Sequence, residues 1–326
     1  MKQEAFEKQN RESWEQLEAW IEELGNRRKA DAGQRREIGR EFPKLYRRIC
    51  HHLALARARR YSAGLQQRLN QLALDGHQHM YRSGLPFFAA TARFFANDFP
   101  AAFRTRWRYV LLSHAVFYLP ALCMALALVF RPELIYSLLD PFTVGSMESM
   151  YDPANDRLGR ERQSDTDLMM FGYYIYNNIS IGFQIFAGGL LFGVGSLFYL
   201  VFNGLYFGAV ATHLTAAGFS STFWTFVIGH GAFELTAITI FGAAGLMLSH
   251  RAIAPGRKRR WHAIRDAARE SLPLVYGGTA MLLLAAFVEA FWSSTSWPPA
   301  WIKYSVGAVL WCLTYGYLLL LGRRES

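Results

Sequence analysis

Cysteine is scarce in this chain, and the N-terminal part lacks any apolar run. The 326 residues include three cysteines, Cys50, Cys123 and Cys312, which are odd in number and scattered. We therefore expect neither a disulfide framework nor a zinc motif. The first apolar run begins only at Tyr109, after a highly charged region, so we also expect no signal peptide.

Charged residues are nearly absent from five long stretches, and this absence predicts the fold class. Lys, Arg and Asp hardly occur in residues 109–130, 171–213, 223–249, 273–292 and 304–321. Crossing about 30 Å of hydrocarbon takes roughly 20 helical residues, so each stretch can span a membrane. The second stretch is twice that length, and its glycines offer a tight turn: Gly188, Gly189, Gly193 and Gly195. The sequence thus predicts an all-α, polytopic membrane protein with about six transmembrane helices.

The distribution of positive charge predicts the orientation. Residues 249–272 are basic, the region before residue 109 is rich in Arg and Lys, and Arg323 and Arg324 lie near the end of the chain. Positive charge favours the cytoplasmic side, so we expect both termini there and the acidic residues 131–170 outside. We predict a cytoplasmic helical domain at 1–84, an interfacial amphipathic helix at 85–108 and a six-span membrane domain at 109–322. Within the membrane domain we expect an external loop at 131–170 and a basic cytoplasmic loop at 249–272.

A formal net charge of +10 would suggest nucleic acid as the partner of a soluble protein. Here the basic residues cluster on the side predicted to face the cytoplasm, where anionic lipid headgroups attract them. Membrane lipids are therefore the expected partner, and nucleic-acid binding is not expected.

The N-terminal region predicts a small helical domain. Apolar residues recur at helical spacing up to Gly25, where the first helix should end: Phe6, Trp14, Leu17, Trp20, Ile21 and Leu24. A polar linker, 26–36, precedes a second amphipathic helix, and a third is expected to be interrupted near Asp75 and Gly76. No cysteine and few acids accompany the histidines of this region at ligand spacing, so no metal site is expected at His51, His52, His77 and His79.

Polar residues inside the apolar stretches are the best indication of function. Asn178, His230, Glu234 and Glu289 lie where hydrocarbon is expected, and Asn177 and Asn203 add to this set. Such groups are costly in lipid and usually face a protein interior or a water-filled cavity. By the predicted topology all of them belong to one layer in the outer half of the membrane.

His230 and Glu234 are four residues apart, so they share one face of a helix. Gly229 and Gly231 flank the histidine and remove bulk, which permits close approach of a neighbouring helix or a ligand. Three roles stay open: a buried polar clamp, a proton or ion relay in a transporter, and an intramembrane hydrolase. Against the hydrolase, the spacing is not the HExxH pattern of zinc proteases and no second histidine follows at i+4. We therefore predict no catalytic residue, no metal and no cofactor.

Two glycine pairs predict tight helix packing in the second and third spans. Gly189 and Gly193, and Gly204 and Gly208, have the GxxxG spacing that lets helix backbones touch. This packing is equally compatible with contacts inside one chain and with a homo-oligomer.

Several of these motifs together resemble the membrane domain of the stage II sporulation protein M family. They are Tyr176 to Asn178, Asn203 with Gly204, the run HGAFEL at 230–235 and the run AFVEAF at 286–291. The N-terminal part is also similar to that of many bacterial members, through Trp14, Leu17 and residues 46–61. Gly229 and Thr236 stand where the family often has proline, so a kink expected there is absent or weaker.

The resemblance implies a multi-pass protein of the bacterial inner membrane. In endospore formers the namesake assembles with two peptidoglycan-acting partners into a complex needed for engulfment. Other members are often encoded beside a MoxR-type AAA ATPase. We therefore expect a non-enzymatic scaffold of the cell envelope with envelope or ATPase partners. The alternative is a transporter of a proton, cation or lipid-linked substrate through the polar layer.

Overall fold

The structure is a computed structural model that describes residues 2–25, 32–82, 87–159 and 167–323. Within these ranges the fold is all-helical and contains no β-strand. The chain forms two compact units, Met1–Ala90 and Thr91–Ser326. Parts of the predicted linker (26–31), of the interfacial segment (85–86) and of the external loop (160–166) lie outside the described residues.

Three helices form the first unit: α1 (Gln3–Gly25), α2 (Ala32–Ala58) and α3 (Ala63–Arg82). Their apolar stripes meet in one core, whose buried members are Phe6, Trp14, Leu17, Ile38, Phe42, Leu45, Ile49, Ala56, Leu65, Leu69 and Leu72. The Trp14 indole Nε1–H donates to Nδ1 of the buried His52 across 3.0 Å. Burial, and next the charges of His51 and Arg48, lower the pKa of His52. This histidine is thus a neutral core acceptor.

Two sequence expectations for this unit are wrong in detail. α3 continues through Asp75 and Gly76 without interruption, because Gly76 lies against the Tyr46 ring, where a Cβ would come within 2.9 Å of Tyr46 Cδ2. The glycine therefore serves close packing and not a break. α2 begins at Ala32, so the last five residues of the predicted linker are helical.

The second unit contains six longer helices. They are α6 (Trp107–Phe130), α8 (Asp167–Ala187), α9 (Val194–Leu214), α10 (Ser220–Ile253), α11 (Arg260–Val288) and α12 (Ala300–Leu320). Among the described residues, four helices are long and apolar enough to cross a membrane: Trp107–Phe130, Val194–Ala216, Ser220–Ile253 and Arg260–Ser293. The protein is therefore an all-helical protein with the character of a multi-pass membrane protein.

α10 is the central helix of this unit, since every residue from 236 to 249 is buried. It runs as one α-helix of 34 residues, although its sequence contains several glycines. Phe241 and Leu200 belong to the main core around it. The helices that meet α10 carry the remaining polar residues, so its position decides the geometry of the site.

The turn that the sequence predicts at the glycines of the second apolar stretch is present between α8 and α9. α8 ends at Ala187, a short 3-10 turn covers Gly188–Leu190, and α9 begins at Val194. Gly193 has φ +91°, a left-handed conformation that glycine adopts without steric cost. The backbones of Gly188 and Gly195 are in contact. A Cβ on Gly188 would therefore lie only 2.6 Å from the Gly195 carbonyl carbon.

The segments predicted as loops are largely helical. After α6, residues Pro132–Ser137 form a 3-10 turn and α7 (Pro141–Met150) follows, with Asp140 capping its first amides. Hydrogen bonds from Thr143 lower the pKa of Asp140. The predicted basic loop shrinks to residues 254–259, because α10 and α11 extend into it from both sides.

The segment before α6 is helical from Phe87 to Thr105: α4 (Phe87–Arg93) and α5 (Phe99–Thr105) follow one another through a π-helical turn, Phe94–Asp98. Phe99 and Phe103 are buried in the core of the second unit. A groove at Gly277 receives the Phe99 ring, since a Cβ there would overlap the ring. Packing against α11 therefore holds part of this segment inside the unit.

Candidate functional site

α10 places two of the predicted polar residues on one face. His230 Nε2 lies 3.7 Å from Glu234 Oε2, one turn further along the helix. The His230 side chain is 7% exposed and that of Glu234 is 20% exposed. Because the helix between them is regular, this pair follows from the i,i+4 spacing alone.

Glu289 joins this pair from α11. The helix ends at Val288, and a π-helical turn, Glu289–Ser293, carries the glutamate and a serine to α10. One ligand atom each from His230, Glu234 and Glu289 lies within 4.8 Å of the other two. Ser293 Oγ lies 3.0 Å from His230 Nδ1, so the turn supplies both a carboxylate and a contact for the imidazole.

α8 contributes the amides. Asn178 is buried and its Nδ2 donates to Glu289 Oε2 at 3.5 Å, the limit of a hydrogen bond. Asn177 Nδ2 donates to Asn178 Oδ1 at 3.2 Å. Helices α8 and α10 and the turn after α11 therefore bring five of the predicted residues into one cluster: Asn177, Asn178, His230, Glu234 and Glu289.

A cavity of about 290 Å³ opens beside these side chains. Its polar lining consists of Tyr151, Asn177, Asn203, Tyr206, His230, Glu234 and Glu289. Asn203 lines the space, but its Nδ2 donates to the Tyr199 carbonyl of its own helix at 2.7 Å. A second cavity, of about 570 Å³, shares the lining residues Met147, Met150 and Tyr206 and so adjoins the first. The polar cluster thus has open space on one side.

Sequence reasoning missed Lys303, which lies at the start of α12 and is only 2% exposed. Its ammonium group donates to the Ser293 carbonyl at 2.9 Å and also to the Thr295 carbonyl. Lys303 thereby ties α12 to the turn that carries Glu289. Its position at the beginning of an apolar stretch could have indicated a buried lysine, but a lysine at that position is equally typical of a charge at the membrane interface.

Sequence reasoning also missed the part played by the segment between α6 and α8. Met147, Met150 and Tyr151 come from α7 and its end, and all three line the cavity. His213 Nε2 lies 2.7 Å from Glu148 Oε1, a hydrogen-bond contact between α9 and α7. The predicted loop is therefore a wall of the site.

Comparison with known proteins identifies the membrane unit. The sequence model described as Stage II sporulation protein M matches residues 114–294, more than half of the chain. The chain belongs to the Stage II sporulation protein M family. The match includes each of the predicted polar residues, from Asn177 to Glu289, whereas Lys303 lies beyond it.

The other comparisons are less informative about activity. A domain of unknown function matches residues 4–82 of this family member. An uncharacterized protein of Methanocaldococcus jannaschii is 24% identical over 123 residues, which cover 37% of this chain and 69% of that relative. A search of the solved structures found no match.

The glycines of this family member divide into two groups. Gly204 and Gly208 lie directly against the backbone of α6. A Cβ on Gly204 would therefore collide with the Phe117 carbonyl oxygen, and a Cβ on Gly208 with that of Ala121. Gly189 meets the Gly245 carbonyl of α10 in the same way, and Gly193 lies beside Ser249. The Gly204 and Gly208 pair thus serves a helix contact inside the chain, whereas Gly189 and Gly193 make their contacts from the turn between α8 and α9 and do not share a helix face.

Gly229 and Gly231, which flank His230, have more room. A Cβ on either would have its nearest neighbours at 3.5 Å, which is ordinary contact. An alanine therefore fits at both positions without a shift of a neighbouring helix.

Proposed function

We propose that this chain is a six-span protein of the bacterial inner membrane that serves as an envelope scaffold. Helices α8 and α12 are the two further spans. Each has 21 residues, about 30 Å at the rise of an α-helix. Three tyrosines and two asparagines interrupt the apolar character of α8, and three tyrosines and a lysine interrupt that of α12. Six alternating helices leave both ends of the second unit's chain on one side.

The charges at the two ends of the helices support the orientation. Arg106 pairs with Glu270 at 3.1 Å, and Lys258 pairs with Asp266, at the end where α10 and α11 are joined. Lysine and arginine are abundant around this end, in residues 251–269. The opposite end carries the acidic α7 segment. By the positive-inside tendency the basic end faces the cytoplasm.

The division of the chain into two units is the main observation that supports the scaffold proposal. The first unit has a core of its own and matches a separate domain of unknown function, whereas the second unit holds the family match. A protein built in this way can bind one partner on each side of a membrane. The expected partners are an intracellular protein such as a MoxR-type ATPase, and envelope proteins outside.

A groove on the first unit suits a partner. A cavity of about 480 Å³ there combines an apolar floor, from Trp20 and Ile38, with the charges of Glu41, Lys44 and Arg48. Protein interfaces often have an aromatic centre with polar residues at the rim. We therefore place the intracellular contact at this groove.

Crosslinking in native membranes, followed by affinity purification and mass spectrometry, tests the scaffold. The comparison is between the wild type, the groove variant Lys44→Glu/Arg48→Glu and a control variant, Lys8→Glu/Arg11→Glu, with the same charge change elsewhere on the unit. We expect a stoichiometric partner that the wild type and the control retain and the groove variant loses. Absence of any stoichiometric partner from wild-type membranes would refute the scaffold role, and retention by the groove variant would refute the groove.

The cavity favours transport as a second candidate function. Asn177, His230, Glu234 and Glu289 surround a space that a small cation or polar headgroup can enter. In proteoliposomes, His230→Ala should then abolish flux without lowering the amount of folded protein. Flux that never exceeds that of empty vesicles, under the proton and cation gradients tested, would remove this candidate.

A further inference from the structure

We propose that His230, Glu234 and Glu289 together bind one divalent transition-metal ion, with Zn²⁺ as the representative ion. This inference concerns the interior of the membrane unit and does not depend on the scaffold role. One imidazole and two carboxylates are a ligand set that such ions accept. The sequence predicted no metal here, because the spacing is not that of HExxH and no second histidine follows His230 at i+4.

The positions of the ligand atoms are close to those required. Ligands around one zinc ion at about 2.0–2.2 Å lie roughly 3.4 Å apart in a tetrahedron. The three ligand atoms lie within 4.8 Å of one another, and the His230 and Glu234 atoms are 3.7 Å apart. Side-chain rotations that move each atom inward by less than about 1 Å would complete the coordination.

The same distances argue against a polar clamp. A clamp needs short hydrogen bonds, of about 2.7–3.2 Å between heavy atoms. His230 Nε2 and Glu234 Oε2 are 3.7 Å apart, which is outside this range. Among the described contacts, the three candidate ligands are thus gathered within 4.8 Å of one another without a hydrogen bond between any two of them, as expected of ligands that face an ion.

Neighbouring groups hold two of the ligands in suitable orientations. Metal-bound histidine usually has its second ring nitrogen in a hydrogen bond, and metal-bound carboxylates are hydrogen-bonded in turn. Here Ser293 Oγ contacts His230 Nδ1 at 3.0 Å, which leaves Nε2 for the ion, and Asn178 contacts Glu289. Lys303 holds the turn that carries Glu289 and Ser293 through the Ser293 carbonyl.

Charge balance also favours a cation. Glu234 and Glu289 lie close together in a buried region, and within the described part of the chain neither has a Lys or Arg ion-pair partner. Two uncompensated carboxylates in a medium of low dielectric are costly, so they need protons or a cation. A divalent ion neutralises both at once. The 290 Å³ cavity leaves room for water or a further ligand on the ion.

Metal content decides between these possibilities. The full chain, purified in mild detergent without chelators, is exposed to excess Zn²⁺, desalted and analysed by inductively coupled plasma mass spectrometry. We expect one zinc ion per chain, a rise in the thermal midpoint on Zn²⁺ addition, and visible absorption bands after Co²⁺ replaces zinc. Glu289→Gln and His230→Ala should weaken binding by at least about tenfold, and Ser293→Ala by about 10–100-fold as for other supporting groups.

The double variant His213→Ala/Glu148→Gln is the matched control, because it removes a histidine and a carboxylate that contact each other at 2.7 Å outside the cluster. It should keep its zinc. If the wild type holds no stoichiometric metal and gains no stability with Zn²⁺, the proposal is refuted. Equal metal content in Glu289→Gln, the variant closest in shape to the wild type, refutes this assignment of the ligands.

Discussion

Alanine at Gly204 should push α6 and α9 apart and destabilise the membrane unit. The Cβ of such an alanine would collide with the Phe117 carbonyl oxygen, so the contact is between the backbone of α6 and the Cβ that is fixed to the backbone of α9. No side chain can rotate away, so a whole helix must move. Overpacking of this kind costs about 1–3 kcal/mol. Gly208, one turn further along and facing the Ala121 carbonyl, should behave in the same way.

Gly316 provides the matched control for this substitution. It lies inside α12, and a Cβ there would meet no atom within 4 Å. Alanine at this position only improves helix propensity, by up to about 1 kcal/mol in water. The two glycine-to-alanine changes are chemically the same, so their difference isolates the helix contact.

Thermal unfolding in detergent, followed by the fluorescence of the nine tryptophans at a fixed scan rate, measures the effect. For a unit of this size, 1 kcal/mol shifts the midpoint by about 2–4 °C, so Gly204→Ala should lower it by roughly 2–12 °C. Gly316→Ala should leave it unchanged or raise it. Equal midpoints for the two variants would refute the packing argument. A change of oligomeric state with unchanged stability would assign the GxxxG face to contacts between chains.

Three further predictions concern other contacts. Because the native state lowers the pKa of His52, the unfolded state binds more protons below its ordinary pKa of about 6.5, and the stability of the first unit should fall as pH drops through that value. Amide exchange in α1 and α2, corrected for intrinsic rates, should show this fall, and His52→Gln should flatten it. Lys303→Met leaves the Ser293 and Thr295 carbonyls unpaired, so the thermal midpoint should drop by the equivalent of about 1–3 kcal/mol, and an unchanged midpoint would contradict the contact. Asp140→Ala removes the cap of α7 and should speed amide exchange there, whereas Asp140→Asn should keep it slow.

The local features of the fold could be predicted from the sequence. The first helix ends at Gly25, and α8 and α9 are separated by a turn that contains Gly188, Gly189 and Gly193, as the sequence indicates. The contact between His230 and Glu234 also follows from helical spacing. Such features depend on neighbours a few residues apart, and chain geometry alone determines them.

Other local features were misread because one residue type has several uses. Gly76 looked like a helix break but receives the Tyr46 ring, and glycines at Gly229 and Gly231 have more room than their position beside a histidine suggests. Acidic and polar residues at 131–159 looked like a loop, whereas α7 packs Val144 against Leu128 and Ala209. In each case the deciding neighbour is distant in the chain.

By itself, the sequence determined that the chain is helical, where its apolar helices lie, and which polar residues the membrane part must accommodate. Only the tertiary structure decided that Asn178, His230, Glu234 and Glu289 meet, with Ser293 and Lys303 behind them. Apolar periodicity reports that a helix face is buried, but it does not report against which helix. That choice depends on the fit of glycine surfaces and on a π-helical turn at residues 289–293, which arise only when the helices pack together.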